Sequence, residues 1–584
     1  MEEEKMTGSK KMIDLKFAKS AYWNFLLWGI CSSLGMTIST FVDAILIGNL
    51  VGSTGLAVTN LSTPVFLAYA LFGLTLGVGA NVHIGRQIGA SEIEDANHIF
   101  HSVLSAGLFV SMLWLVPALL FRREILGFLG AGGELYILAE QYLMVVFVAA
   151  PVFIMYHIMS VSVRTDGEPR LAAIASVVVI LTNLTFDIYF MKVLNWGIIG
   201  ASSSLCIAEG LGLLVLLIHF FKKQSLLRLG LVLPDRQEIK SFIVNGFGVG
   251  SAYIFQGLVM LIFNMLLLLY GRGNGVLYVA VFGVIYTISM APFAIFDGAG
   301  NALSVVTSIY SGERDVRSIL TVFKMGMKIT AVSGVFLGFI CFLFAGNLAG
   351  FFGLDVTEAP FAVTAIRIFA FSILFTGINM VMTAYWQAIG RAKMAGAMSM
   401  LRNFIMMLVI GCGLIAGFQI IGLAFTYVCV EILGLLFILI SEKRSSSEEY
   451  IEKRYTAVGR IFENNYPIHT DSIEQISADL DSVCEKWEIS PKQSFFVHFI
   501  AEEILLNIIK YGLKESGREK YVAIKLLENG DEYIIRIRDN VNTYNPFDSS
   551  GDEIDNGVLN LIKKKAKYYN YQRKLIFNYL YLIV

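Results

Sequence analysis

Twelve long apolar runs occupy the first three quarters of this sequence and constrain its fold more than any other feature. A helix needs about 20 predominantly apolar residues to cross a bilayer. Because hydrocarbon offers no partners for backbone N–H and C=O groups, such runs predict helices, which pair these groups internally. We therefore expect an α-helical membrane protein with twelve transmembrane helices. The runs lie near residues 21–48, 55–85, 99–121, 135–162, 171–193, 198–221, 242–270, 276–310, 324–350, 360–390, 394–416 and 418–440.

The distribution of charge predicts how these helices are oriented. Charged residues make up only 16% of the chain, and before about residue 440 they cluster between the runs. Lys and Arg concentrate in alternate connecting segments, such as the one that contains Lys222, Lys223 and Arg228. Since basic loops favour the cytoplasmic side, we expect a multi-pass protein of the bacterial plasma membrane with both termini in the cytoplasm.

The sequence also repeats itself. Gly167 and Gly390 lie in similar segments, and so do Gly200 and Gly422, at almost the same separation along the chain. A repeat of this kind predicts two six-helix, pseudo-symmetric bundles with a cleft between them, an architecture of many secondary transporters. The predicted domains are a cytoplasmic N-terminus (1–20), an N-terminal bundle (21–221), a cytoplasmic connector (222–241), a C-terminal bundle (242–440), a linker (441–460) and a tail domain (461–584).

Two carboxyl groups fall inside apolar runs of the N-terminal bundle. Asp43 lies in the first run and Asp187 in the fifth, one helical turn after Asn183. The spacing of four places Asn183 and Asp187 on one face of a helix. A charge inside the bilayer costs at least about 2.5–3.5 kcal/mol and usually faces a bundle interior where it binds something. We predict that these groups bind a proton or a sodium ion, the alternative being a structural hydrogen-bonding role.

Several segments resemble the MATE family (multidrug and toxic compound extrusion transporters). Residues 41–48 are similar to its first-helix motif, residues 183–187 and 197–201 to its fifth-to-sixth helix signature, and residues 89–92 and 164–170 to its cytoplasmic loops. The resemblance covers about residues 15–440. It implies export of organic, often cationic, compounds driven by proton or sodium entry. A threonine common in the family falls on Leu205, so we assign its hydroxyl to Ser203, with Ser204 as the alternative.

The C-terminal bundle contains two further acidic residues in apolar runs, Asp297 and Glu431. Asp297 is a candidate for a substrate site in this bundle. Glu431 is interpreted as part of a helix packing contact.

The tail after residue 440 has a different character. A charged, serine-rich stretch at 441–449 is typical of a linker between domains. Alternating strand and helix patterns follow, which predict an α/β sandwich. This tail resembles the GHKL ATPase fold, and most of all the small serine kinases that act as anti-sigma factors.

The resemblance assigns roles to four tail residues. Asn507 would ligate magnesium on the phosphates of Mg-ATP, Glu503 would act as general base toward a serine of a partner protein, Asp539 would recognise adenine, and Gly557 belongs to the box that cradles phosphates. Two glycines of the family pattern are replaced, by Val541 and Leu559. The tail is therefore either a nucleotide-binding, kinase-like domain or a degenerate domain that docks a cytoplasmic protein.

Taken together, the sequence predicts a cation-coupled antiporter with a cytoplasmic regulatory domain. Its expected partners are small organic cations, membrane lipid and a serine-bearing regulatory protein, with no nucleic acid. A lipid or lipid-linked-precursor flippase is one alternative, although the charges within the apolar runs are mainly acidic rather than basic. A membrane-anchored serine kinase or sensor is another. No Gly-x-x-x-x-Gly-Lys-Ser/Thr phosphate loop occurs in the sequence, which argues against a primary ATP-driven pump.

Overall fold

The computed structural model describes residues 2–584 except 272, 353–359, 456–458, 513–519, 531, 543–544, 546 and 548–552. The chain divides into two compact units. The helical unit comprises Tyr22–Glu313 and Val322–Arg454, and the mixed unit comprises Met1–Ala21, Arg314–Thr321 and Tyr455–Val584. The mixed unit thus joins the tail to two short segments that the sequence assigns to other domains.

Long apolar helices joined by short loops build the N-terminal half of the helical unit. Helix α1 begins in the mixed unit and continues into this half. A bend of 50° separates α5 from α6, where Pro151 near the start of α6 cannot donate a helical hydrogen bond. The helices are α1 (Glu2–Leu50), α2 (Ser53–Ala90), α3 (Ile93–Leu120), α4 (Arg122–Leu129), α5 (Glu134–Val148), α6 (Ala150–Thr165), α7 (Pro169–Asp187) and α8 (Gly197–Ile218), with a π-helical turn at Ile188–Val193 and a 3₁₀ turn at His219–Phe221.

The C-terminal half has the same organisation. Helix α9 starts with a capping box. The side chain of Asp235 accepts a hydrogen bond from the backbone N–H of Glu238, and the side chain of Glu238 accepts one from the backbone N–H of Asp235. A residue with non-helical backbone angles, Gln419, divides α16 into two helical parts. The helices are α9 (Arg236–Tyr270), α10 (Gly275–Gly312), α11 (Val316–Leu343), α12 (Ala345–Phe351), α13 (Pro360–Ala370), α14 (Ser372–Ala388), α15 (Ala392–Met400) and α16 (Met406–Arg444), with a π-helical turn at Leu401–Ile405.

Within the described residues, nine helices are long and apolar enough to cross a membrane, or ten if the bent pair α5–α6 is one span. This count treats 392–444 as a single element. The multi-pass helical architecture expected from the apolar runs is therefore confirmed.

The two halves of the helical unit meet where α2 and α10 end. A Cβ atom on Gly89 would collide with the carbonyl oxygen of Ile309, and one on Gly312 would collide with that of Arg86. The internal repeat relates Gly89 to Gly312 and Arg86 to Ile309. The crossing is therefore reciprocal, as expected where a pseudo-two-fold axis passes between two repeated halves.

The stretch interpreted as a linker is largely helical. Helix α16 extends to Arg444, and α17 (Ser447–Tyr455) follows after a short break. Glu442 accepts a hydrogen bond from the indole of Trp386 at 2.8 Å and forms an ion pair with Arg391 at 3.3 Å. These contacts fix the start of the stretch to α14 and to the loop before α15.

The mixed unit contains a five-stranded antiparallel sheet in the order β1-β2-β3-β5-β4. Apolar residues from one face of the sheet pack with apolar residues of three helices in a single core. The elements are β1 (Ile461–Pro467), α18 (Asp471–Lys486), α19 (Pro491–Asn507), β2 (Tyr521–Asn529), β3 (Glu532–Asp539), α20 (Glu553–Lys565), β4 (Tyr568–Lys574) and β5 (Phe577–Ile583), with a π-helical turn at Ile508–Gly512.

Candidate functional site

The polar residues predicted in the N-terminal half form one cluster. The side-chain amide of Asn183 on α7 donates to Asp187 Oδ2 at 3.1 Å and lies 3.4 Å from Asp43 Oδ1 on α1. The Asp43 and Asp187 carboxyls are close enough to interact with each other. Asp187 and Asn183 are buried, and Asp43 is partly buried. The spacing of four on α7 and the crossing of α1 thus bring all three groups together.

The hydroxyl in this cluster comes from Ser204 rather than Ser203. Ser204 on α8 is buried, donates to Asp187 Oδ1, and lies 3.4 Å from Asn183 Oδ1. Consecutive residues of an α-helix differ by about 100° in direction because a turn takes 3.6 residues. Ser203 therefore lies on a different face of α8, and the assignment of the hydroxyl moves to its neighbour.

The cluster contains two acids, one amide and one hydroxyl. Two carboxylates buried side by side repel each other, and a proton shared between them or a bound cation relieves that repulsion. Its oxygen atoms are also the ligand type that hard cations prefer. The arrangement can therefore bind a proton or a small cation and release it when the surroundings change.

One buried acid was missed by the sequence analysis. Glu209 on α8 is buried, and within the described structure its Oε2 atom has no hydrogen-bond partner. Its position in the first half corresponds to that of Glu431 in the second half of the repeat. The repeat spacing, applied to Glu431, would have identified it.

The C-terminal half encloses a cavity of about 220 Å³. Aromatic side chains, including Tyr253, Tyr286 and Tyr427, line much of it. Asp297 on α10 also lines the cavity, and its Oδ2 atom accepts hydrogen bonds from Ser33 and Asn301, both at 2.9 Å. Both of these donors are neutral, and the positive charge of Arg164 is near enough to act on the Asp297 carboxylate.

Glu431 lines the same cavity but is neutralised. Its Oε1 atom lies 3.3 Å from Arg402 Nε, and its Oε2 atom accepts a hydrogen bond from Asn379 at 2.6 Å. The interpretation of Glu431 as part of a contact between helices agrees with this pairing. Within the cavity, Asp297 is therefore the acid better placed to meet a positively charged molecule.

A family model, MatE, matches residues 30–189 and 252–412, which together make up more than half of the chain. The chain belongs to the MatE family. The starts of the two matched segments are separated by almost the same number of residues as their ends, and this separation is the spacing of the internal repeat.

Curated relatives of this MatE chain include proteins described as "Multidrug export protein MepA". The one from Staphylococcus aureus (strain MRSA252) is 24% identical over 388 residues, covering 64% of this chain and 84% of the relative. The one from Staphylococcus saprophyticus is also 24% identical, over 378 residues, covering 64% of this chain and 82% of the relative.

Solved structures share the fold. An outward-facing multidrug resistance MATE family transporter superposes with a TM-score of 0.68 at 22% identity, covering 75% of this chain and 97% of that one. A MOP superfamily transporter from Pyrococcus furiosus, described as having a binding pocket of reversed polarity, superposes with a TM-score of 0.67 at 23% identity, covering 74% and 97%.

The family match of this MatE chain ends at residue 412, so it does not include the four tail residues. Asn507 ends α19, and its amide donates to the backbone carbonyl of Glu503 at 2.8 Å. Its Oδ1 atom is buried and has no hydrogen-bond partner within the described residues. Glu503 lies one turn earlier on the same helix and is partly buried.

Asp539 ends β3 and is buried. Its Oδ1 atom accepts hydrogen bonds from the Asn578 amide at 2.8 Å and from the Val541 backbone N–H at 3.1 Å. Burial raises the pKa of Asp539 to about 6, although these two hydrogen bonds lower it in part. Val541 and Leu559, which replace the expected glycines, are both buried in the core of the mixed unit.

Gly557 lies in α20. Ile508, Val541 and Leu559, which lie one or two residues after Asn507, Asp539 and Gly557, belong to one apolar cluster. Throughout the described part of the chain, no group of three or more His, Cys, Asp or Glu residues is arranged to hold a metal ion.

Proposed function

We propose that this MatE chain is a secondary transporter that exports organic, mainly cationic, compounds in exchange for protons or sodium ions. The acid-rich cluster of Asp43, Asn183, Asp187 and Ser204 is the observation that carries this proposal. A cluster of acids and neutral polar groups inside a membrane helix bundle needs a cation to balance it. The relatives described as multidrug export proteins support the direction and the breadth of transport.

The proposed architecture has twelve spans in two bundles of six. Helix α1, the joined pair α5–α6 and the two parts of α16 on either side of Gln419 complete the count beyond the nine long apolar elements of the described chain. The basic connecting segments favour a cytoplasmic location for both termini. The reciprocal crossing of α2 and α10 would then close the cytoplasmic side, and it must open for the cavity to face inward.

Coupling follows from the separation of the two polar sites. An organic cation would occupy the cavity beside Asp297, while a proton or sodium ion would occupy the cluster around Asp187. Binding at one site shifts the balance between outward and inward conformations only if the two conformations differ in affinity for that ligand. Exchange requires that the coupling ion and the organic cation favour opposite conformations.

The test is transport of a fluorescent aromatic cation such as ethidium by the full chain in proteoliposomes. An imposed proton gradient and an imposed sodium gradient are compared separately, which identifies the coupling ion. We expect Asp43→Asn to abolish gradient-driven transport, whereas Asp95→Asn, an exposed acid of the same half, leaves it intact. Unchanged transport by Asp43→Asn would refute the coupling site, and an absence of transport by the wild-type chain would refute the proposal as a whole.

For the tail we propose a magnesium-nucleotide-binding domain of the GHKL type that regulates transport. The buried Oδ1 atom of Asn507, which has no partner among the described residues, fits a magnesium ligand, since such an atom otherwise loses its hydration without compensation. The buried Asp539 at the end of β3 fits recognition of an adenine amino group. A serine kinase activity, with Glu503 as general base, extends this proposal and is measured as phosphate transfer from ATP to a serine-bearing protein.

Binding of Mg-ATP to the full-length protein in detergent tests the nucleotide proposal. We expect Asn507→Ala to abolish binding, with Gln475→Ala, an exposed change on α18, as the matched control. A folded wild-type protein that does not bind Mg-ATP would instead favour a degenerate domain that docks a partner protein.

A further inference from the structure

The sheet of the mixed unit has two buried faces. Side chains alternate between the faces of a strand, and residues such as Ile524, Ile537 and Leu580 fill the core beneath the helices. The opposite side, which we call the polar face, carries Glu463, Lys525, Arg538, Lys574 and Tyr579. Antiparallel sheets of this kind commonly leave such a face in water.

The polar face is instead covered. Arg538 is 6% exposed and Lys574 is 3% exposed, although lysine and arginine are almost never buried unless they are paired. Lys525 forms an ion pair with Glu463 at 2.9 Å, and these two residues are direct partners across β1 and β2. The remaining contacts identify what lies over the face.

The first covering segment is the part of α1 that belongs to the mixed unit. Phe17 is 3% exposed, and its ring meets that of Phe577 edge to face at a centroid distance of 4.9 Å. The Arg538 guanidinium lies 4.6 Å from the centre of the Phe17 ring. Lys16 donates to the Tyr521 hydroxyl and lies 4.4 Å from the centre of that ring. Edge-to-face rings and a desolvated cation over a ring are both stabilising contacts.

The second covering segment is Arg314–Thr321, at the start of α11. Asp315 is near enough to Lys525 and Arg538 for both to act on its charge. Burial alone would raise the pKa of the Asp315 carboxyl, but these two cations hold it below its ordinary value. Asp315 also accepts a hydrogen bond from the Ser318 backbone at 3.0 Å, so the same residue starts α11 and contacts the sheet.

We propose that the tail is an intramolecular latch, whose polar face holds the start of α1 and the start of α11 at the same time. Helix α1 continues into the N-terminal half, and α11 belongs to the C-terminal half. The two held segments belong to the mixed unit and lead along α1 and α11 into different halves, so holding both opposes a change in the relation between the halves. The latched chain is therefore inhibited, and transport requires that the polar face release at least one segment. This inference rests on the proposed transport by alternating access, while the docking itself does not.

Docking is tested first, by hydrogen exchange of the full-length protein in nanodiscs. Asp315→Lys places a cation against Lys525 and Arg538, so exchange in residues 16–21 and in β2 and β3 should accelerate by about tenfold. Glu485→Lys makes the same change of charge at an exposed position of α18, away from the polar face, and should leave exchange unchanged. Equal protection in the wild type and in Asp315→Lys would refute the latch. Faster exchange confined to residues 314–321 would also refute it, since it would reflect only the lost cap of α11.

A reversible cross-link then tests inhibition. In a full-length chain without its native cysteines, Phe17→Cys and Phe577→Cys are joined by a short thiol-specific reagent that a reductant cleaves. We expect the joined form to export ethidium at least about fivefold more slowly than the reduced form, because the latched state is then permanently populated. The pair Phe17→Cys and Glu485→Cys should not be joined. Failure of the first pair to react, or equal transport in both forms, would overturn the latch, whereas a reduced form that does not transport would count against the proposed function.

Discussion

The two halves of the helical unit share one scaffold but treat their buried acids differently. In the N-terminal half, Asp43 and Asp187 interact with each other and with a neutral amide and a neutral hydroxyl. In the C-terminal half, Glu431 is paired with Arg402, and Asp297 stands at the wall of a roomy aromatic cavity. A repeated fold thus supplies the frame, and a few substitutions decide whether a half suits a small ion or a larger molecule.

Among the changes that compare the two halves, the largest effect is expected at Asp187. Asp187→Asn removes one of two interacting charges, so the cluster no longer needs a cation, and export of ethidium should fall by about 100-fold. Binding of ethidium to the purified protein should change little, because the cavity beside Asp297 is untouched. If Asp187→Asn lost both ethidium binding and ethidium export, the proposal that the two halves bind different ligands would be contradicted.

A reciprocal result is expected in the other half. Asp297→Asn should weaken ethidium binding by about tenfold, the scale of one partly desolvated charge interaction of about 1.4 kcal/mol. Fluorescence titration measures this affinity, and proton or sodium binding should persist. Asn301→Ala, which removes one neutral donor to Asp297, serves as the milder comparison. An unchanged affinity in Asp297→Asn would place the cargo elsewhere.

The crossing of α2 and α10 is where the halves should behave alike. Gly89→Ala and Gly312→Ala each insert a methyl group against a backbone carbonyl, a form of overpacking that costs about 1–3 kcal/mol. We expect both variants to disfavour the closed crossing to a similar degree, measured as labelling of a Ser304→Cys thiol in the cavity wall. A large effect of one variant and none of the other would show that the crossing is not symmetric in energy.

A smaller effect separates neighbouring serines. Ser204→Ala removes a hydroxyl that donates to Asp187, which should reduce the affinity for the coupling ion by about three- to tenfold, as expected for a typical hydrogen bond with a net contribution of about 0.5–1.5 kcal/mol. Ser203→Ala is the matched control and should leave the affinity unchanged. The concentration of coupling ion at half-maximal transport distinguishes the two, and equal behaviour would remove Ser204 from the site.

The smallest effect lies in the mixed unit, at the buried acid Asp539. The pKa of Asp539 in the folded chain is about 6, above its ordinary value of 3.8. Because the folded state binds this proton more tightly than the unfolded state, the protonated carboxyl contributes to the free energy of unfolding of the mixed unit. This contribution is fully present below pH 3.8 and is lost as the pH rises through about 6. Asp539→Asn should flatten this decline between pH 4 and pH 7. Hydrogen exchange of α19, corrected for the intrinsic effect of pH, measures it, and an equal decline in both proteins would contradict the assignment.

Much of the helical unit could be predicted because its signals are local. Apolar runs identify helices regardless of their partners, and the spacing between Asn183 and Asp187 guarantees a shared face. The spacing of the internal repeat predicted two halves. The two segments matched by the family model are separated by the same spacing. Such features depend on chain distance alone, which a sequence records directly.

Features that depend on helix rotation or on distant partners were harder to predict. Ser203 and Ser204 differ by one step around α8, which composition and hydropathy do not resolve. Arg402 and Glu431 lie several helical turns apart along the chain, so only packing shows that they neutralise each other. In the tail, β1, α18 and β4 carry many polar residues, which weakens their sequence signal. Phe17 and Asp315 belong to the mixed unit through contacts with residues far away in the sequence, which no local pattern predicts.

The alternation along β3 and β5 has a consequence for signalling. Arg538 and Phe577 contact the covering segment, while their immediate neighbours Asp539 and Asn578 form the buried hydrogen bond on the other side. A nucleotide that recruited Asp539 would have to compete with Asn578, and each of these residues shares a peptide bond with a residue that contacts Phe17. Nucleotide binding would then be coupled to α1 through two peptide units on neighbouring strands, Arg538–Asp539 and Phe577–Asn578, without movement of a whole element.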